Sequence, residues 1–442
     1  MNYSRARSII IAVCLACMAG TTSAYSLLSN EKGYFGIDIE AAYGIFDIDK
    51  NFNGTDNGSS WQEGYIKYGF SGQWQTTGII YGAINAVSSA TWGDGDPAGF
   101  TLGNERRTAW EEVYLGWRSD HLFPALGADA VDIAIGSKVV TLGDGFIIND
   151  DGLNMGNGVA LLNRGGAYYL AARHAFHKTA TISISNGDDL RGDIIYLKSN
   201  NAAQAKPEMA IANFEYDRGC GSLGLSWIHG LDIDKNLAND NLLQRKSMNI
   251  YSLRSSHNND KNLLVSFEVA RQYRNDYMGQ VRSGQKNKDT AWYAEVTWAF
   301  NEMDAIPILT GRYSHYGKTW DSLFTGLNRG FGTWFQGEVA ANYAGPFNSN
   351  TDVYHLGLEM DTFNGLKLGL LFFDFDYKPR NNADPDVGGR ELDMYVEWIA
   401  HPHLTIIPII GLYRPDNAIN SGGSQQNAGN NIYMQLMMVA NF

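Results

Sequence analysis

Charged residues recur at alternate places inside otherwise apolar runs. Lys67, Arg118, Lys138, Arg173, Arg254 and Arg312 follow this rule, as do Asp38, Glu40, Glu112, Glu268, Glu295, Glu359, Asp374, Asp376, Glu391, Asp393 and Glu397. A charge alternating with apolar residues points away from whatever the apolar face contacts. If that face meets lipid, the charges line a water-filled interior, where fixed charge selects ions or sugars by sign. The candidate pore-lining residues are Lys67, Glu112, Arg118, Lys138, Arg173, Arg254, Arg312, Glu391 and Asp393, joined by Arg329 from a long connection. The arginines carry the stronger case, because a fixed forked donor grips carboxylates or phosphates. Each charge also has a plainer reading, as the cross-strand partner of an opposite charge in the wall.

Other chemistry is thinly represented. Asp49, Asn51 and Asn53 with Gly54 match the first half of a calcium loop, but position twelve is Ser60 and not the bidentate Glu of the full motif. Two readings stand there, a calcium site in an external loop or a solvated Asn/Asp/Gly turn. No other cofactor is required. No Gly-x-Ser-x-Gly elbow or His-Glu-x-x-His pair occurs, so nothing announces an enzyme. With 34 basic against 47 acidic residues, the chain lacks the basic face of a nucleic-acid binder.

The elements that must position these charges are strands. Asn431 to Phe442 puts Ile432, Met434, Leu436, Met438, Ala440 and Phe442 on one face and Tyr433, Gln435, Met437, Val439 and Asn441 on the other. The same split recurs at Phe35 to Ile45, Leu263 to Val269, Trp292 to Trp298 and Leu392 to Trp398. The runs are about 10–14 residues long, enough for a tilted strand to cross a bilayer. Aromatics such as Tyr65, Tyr68, Trp292, Trp298, Tyr377 and Trp398 sit near strand ends, as interfacial girdles do. Richness in Gly (49) and Tyr (24) with only 10 Pro suits strands and turns.

The first 24 residues read as a secretory signal peptide, with Arg5 and Arg7 ahead of an apolar run from Ser8 to Gly20 and small residues before Tyr25. The remainder, 25–442, reads as one domain. Its sole cysteine is Cys220, so no internal disulfide braces it.

Connections alternate between short turns, such as Asn364-Gly365 and His401-Pro402-His403, and long ones, such as Asp47 to Trp61 and Thr141 to Gly165. That asymmetry predicts short periplasmic turns and long external loops. Parity between the two faces fails at two places. Gly332 to Ala344 looks like a strand but must belong to an external loop, and one of three runs between Gly166 and Asn200 must merge. The count is then about 18 strands. The fold expected is all-β, a transmembrane antiparallel barrel.

Ile135 to Asp151, Leu366 to Tyr377 and Gly389 to Tyr413 (with Glu-Leu-Asp-Met-Tyr at 391–395) resemble the alginate-export family of outer-membrane barrels. The resemblance implies an 18-stranded passive conduit with porin-like relatives. A polyanion conduit should be basic inside, whereas here acidic groups outnumber basic ones. The expected function is therefore passive passage of hydrophilic solutes, ions or saccharides. Export of an acidic polysaccharide, or a binding or adhesion barrel with a closed lumen, are the alternatives. Expected partners are outer-membrane lipid and lipopolysaccharide, a hydrophilic solute, and the barrel-assembly machinery, which would read the last strand ending at Phe442. Two segments, 141–165 and 320–350, carry too many large apolar residues to sit free in water. At least one is expected to fold inward and narrow the pore, with Arg329 facing the path; the alternative is that they pack on each other above the rim.

Overall fold

The computed structural model describes residues 25–442 except 56, 188, 260–261, 275–287, 304, 327–336, 346, 363–364 and 379–385. Residues 1–24, read above as a signal peptide, and Arg329 lie outside the described residues. From Gly33–Ile48 to Asn431–Asn441, eighteen strands each pair antiparallel with the next. The last closes on the first, with Met438 opposite Tyr43 and Leu436 opposite Ile45. A closed sheet leaves no backbone edge unsatisfied, so it can stand in hydrocarbon. A short strand, Tyr25–Asn30, folds back on the start of Gly33–Ile48 and does not cross. No helix among the described residues is long and apolar enough to cross a membrane; the strands do the crossing.

The outer face carries the apolar residues that alternation assigned to lipid. Trp110 is 64% exposed and Ile135 65%, values only a hydrocarbon surround makes tolerable. The inner face carries most of the charges. Connections after Thr76, Ser185, Arg218 and His401 are short, whereas those after Lys138 and Tyr316 are the longest.

Both parity failures resolve as the count required. The run at Gly166–Ala175 makes no strand and extends the long loop 139–175. The described part of 332–344 lies in the loop 317–350, with a π-helical turn at Ala340–Ala344.

Two faces differ from expectation. Asp374 and Asp376 point outward, not into the lumen, because Leu368, Leu370 and Phe372 on the same face are the exposed residues of Leu366–Tyr377. Phe373 and Phe375 instead face inward, where Phe375 stacks on Phe347 of the 317–350 loop with ring centroids 4.2 Å apart. This part of the lumen is filled by an apolar loop, so the inner face is the more apolar of the two. The second difference is a β-bulge. Ile84 opposes Val113 while Ala86 opposes Trp110, so Asn85 faces both Glu111 and Glu112. The extra residue lets two consecutive glutamates serve the inner face.

Candidate pore lining

Both long segments fold into the barrel and pack on each other there. Ile148 and Phe324 form a parallel bridge, Asn149 N–H donates to the Phe324 carbonyl at 2.8 Å, and Phe324 N–H donates to Ile147 at 3.2 Å. Phe146 packs against Tyr293 and Tyr316 of the inner wall at 5.3 and 5.8 Å. Tyr343 meets the inward Trp61 edge-on at 5.7 Å and Tyr433 at 6.3 Å. The expected inward fold and the expected mutual packing thus occur together, within the wall and not above it.

What fastens these segments is a repeated device. Inward carboxylates of the wall accept backbone N–H groups of the loops. Glu63 takes Tyr169 N–H at 2.9 Å and Leu170 N–H at 3.0 Å. Glu111 takes His174 and Ala175 N–H at 2.5 and 2.6 Å, and pairs with Arg173 at 3.4 Å. Glu391 takes the N–H groups of Glu338, Val339 and Ala340. Loop backbone without regular structure must satisfy its donors when buried, and charge-assisted bonds are the strong way to do it. Elsewhere Arg245 grips Asp321 with two bonds of 2.8 Å, tying the 233–248 loop to the 317–350 loop. Arg164 pairs with Asp151, whose carboxyl is pushed up to about 6 by burial despite that arginine and Ser199.

The sequence-derived site residues divide accordingly. Glu391 (1% exposed) and Asp393 (0%) are sealed beneath the loop, so they do not face a path; Glu391 anchors instead. Arg173 is likewise buried by its pairing with Glu111. Arg312 is buried against Glu295 at 3.3 Å. Arg254 is tied to Glu215, to Ser226 at 2.7 Å and to Asn213 at 2.6 Å. For these residues the wall partnership is the geometry observed.

The remaining four come together on neighbouring strands and stay half-exposed to the lumen. Lys67 lies 3.7 Å from Glu40, which also accepts the Tyr65 hydroxyl at 2.6 Å. Glu112 is held by Asn85. Lys138 sits over the Tyr114 and Tyr81 rings at 5.2 and 5.8 Å. Arg118 pairs with Asp132 at 3.3 Å and lies over Tyr81 at 4.7 Å. This charged row runs down one wall, and the inward loop adds His174, bonded to Asp150 at 2.8 Å.

At the calcium candidate, Asn51 accepts from Ser59 at 2.8 Å and Asn53 from the Thr55 hydroxyl at 2.8 Å, so these oxygens close the loop on itself. No group of three His, Cys, Asp or Glu that could hold a metal ion occurs among the described residues.

Alternation puts Glu63 on the inner face in phase with Lys67 without showing what it binds, and alone it misses Glu111 and His174. Glu111 had a signal, the pair of adjacent acids between Trp110 and Val113, which breaks period two as a bulge does. The partners of Glu63 and Glu111 are backbone groups, which leave no trace in the sequence.

No protein-family model matches the chain, and no curated protein matches it. Solved structures do. Acinetobacter baumannii OccAB1 matches over 96% of this chain and 99% of its own, with TM-score 0.60 and 11% identity. The outer membrane protein OprD from Pseudomonas aeruginosa matches over 95% of each chain, with TM-score 0.55 and 14% identity. Pseudomonas aeruginosa OccK5 (OpdH) matches over 92% of this chain and 98% of its own, with TM-score 0.56 and 9% identity. The barrel therefore has the fold of these outer-membrane proteins. The resemblance to the alginate-export family is overturned, since the matching barrels are of the OprD and Occ kind. The short motifs behind that resemblance are amphipathic strands, which unrelated barrels share.

Proposed function

We propose that this chain is an outer-membrane channel for passive passage of hydrophilic solutes, ions or saccharides, and not an enzyme. The observation that carries the reading is the partly exposed row Lys67, Glu40, Glu112, Lys138 and Arg118 on one wall, which keeps surface open to the lumen although the 139–175 loop is fastened to Glu63 and Glu111 of the same strands. Fixed charges beside a path that loops narrow discriminate solutes by sign and size. The likeness to OprD and Occ porins supports a channel of that general kind. In this reading, outer-membrane lipid and lipopolysaccharide surround the apolar belt, residues 1–24 direct export, and the strand ending at Phe442 engages the assembly machinery.

Planar-bilayer recording of the folded protein is the test. Stepwise, ohmic conductance is expected. A barrel that is folded by heat-modifiable migration, yet passes no current, would overturn the channel.

A further inference from the structure

We propose that His174, paired with Asp150 and set among the charges of the row, is the residue that sorts solutes by charge in this channel. The inference rests on the channel reading above and adds a specific selector to it.

His174 belongs to the 139–175 loop, yet it is placed by the wall. Its backbone N–H is fixed to Glu111, and Asp151 N–H donates to its carbonyl at 2.9 Å. Its ring is oriented by the Nδ1 contact to Asp150 Oδ2 at 2.8 Å, and Asn149 donates to the same oxygen at 3.1 Å. The His174 side chain nonetheless keeps 27% of its surface open and Asp150 14%. Barrel wall encloses this position, so the water that reaches the ring is water of the lumen. The arrangement differs from every other cation clamped near it. Arg173 and Arg164 are sealed into ion pairs with Glu111 and Asp151. Lys67 is neutralised by Glu40.

The groups that bear on His174 are Asp150 from its own loop, Lys67 from strand Ser59–Thr76, and Glu111 from strand Arg106–Arg118. Burial alone would lower the imidazole, but Asp150 outweighs it, and the value is raised above the ordinary 6.5. His174 is thus charged in acid and neutral in alkali, with the change shifted upward from that of an ordinary histidine. When it is charged, it balances Asp150 and the path holds one more positive charge. Once it is neutral, Asp150 stands without that counter-charge, and the wall favours cations.

The measurement is the reversal potential across a salt gradient in planar bilayers, from about pH 5 to about pH 9. For the native channel, the cation-to-anion permeability ratio should rise with pH, with its midpoint above the ordinary histidine value. H174Q should flatten the profile at the high-pH ratio, and H174K should hold it at the low-pH ratio throughout. H121Q, at a periplasmic turn where the side chain is 81% exposed, serves as the control and should keep the native profile. A flat native profile, or a slope that survives H174Q, overturns the selector while leaving the channel intact. Absence of current in the folded native protein would instead overturn the channel itself.

Discussion

The carboxylate of Glu391 accepts the backbone N–H of Val339 at 2.9 Å, joining a strand of the wall to a loop inside it. The same carboxylate serves Glu338 and Ala340, so one side chain satisfies three consecutive donors of a segment that has no sheet to pair with. Glu63 and Glu111 repeat the arrangement for the other inward segment. The surplus of acid on the inner face is thereby explained in part as loop attachment.

Glu391→Ala should release this attachment. Hydrogen bonds to a charged group contribute about 1.5–3 kcal/mol each, and three donors would lose their acceptor at once. The barrel itself, held by its ladder, should still assemble. Single-channel conductance should rise and admit larger sugars, whereas Glu391→Gln, which keeps one carbonyl acceptor, should lie between. Native conductance in a folded Glu391→Ala channel would show that the loop stands without the clamp.

Arg312 and Glu295 make a buried cross-strand pair at 3.3 Å. Replacing Arg312 by Met leaves a buried carboxylate without its counter-charge, and such a break costs about 3–5 kcal/mol. The double replacement of both residues by Met should recover most of that loss. Urea unfolding in lipid vesicles compares the three proteins. Equal stability of the single and double variants would argue that Arg312 acts through its other contacts.

Strand identity was legible because period two is forced on any strand with lipid on one side and water on the other. Trp292, Val296 and Trp298 face outward and Glu295 inward, as their alternation requires. The rule failed where its premise failed. At Phe373 and Phe375 the inside is not water but Phe347, so the apolar face turned inward and Asp374 turned out. At Glu111 the bulge shifted the phase of the strand by one residue. The inward placement of Lys67, Glu112, Arg118 and Lys138 in the candidate site was legible, since it depends only on which face of the strand they occupy. The roles of Glu391 and Glu63 were not, since a backbone N–H partner can come from any residue type. The inward turn of both loops was readable from their apolar content; their contacts with each other inside the wall depend on long-range packing.

Asp374 and Arg390 pair at 2.9 Å on the outer face near the external rim. The Arg390 side chain is 67% exposed, so the pair adds little to stability, in the range of exposed pairs that contribute about 0–1 kcal/mol. Asp374→Asn should therefore leave both ion selectivity and unfolding unchanged. A changed reversal potential in this variant would place Asp374 on the path and contradict the strand's observed facing.

Glu338 supplies a pH response of its own. Burial raises its carboxyl from the ordinary 4.5 to about 8, opposed by the Tyr169 hydroxyl that donates to it and aided by the nearby Glu391 charge. Since the folded value is the raised one, this group's contribution to loop packing is complete below 4.5 and is lost as pH rises through about 8. Within that window the released segment prefers to ionise and the packed one does not, at about 1.4 kcal/mol per pH unit. Raising the pH past about 8 should loosen the 337–345 segment from Tyr169 and Trp61, and appear as larger and noisier single-channel current. Glu338→Gln carries no charge at any pH, so its current should stay quiet across the same range. If the variant became noisy at the same alkaline pH as the native channel, the response would belong to another group, and Glu338 would be only a packing residue of the plug.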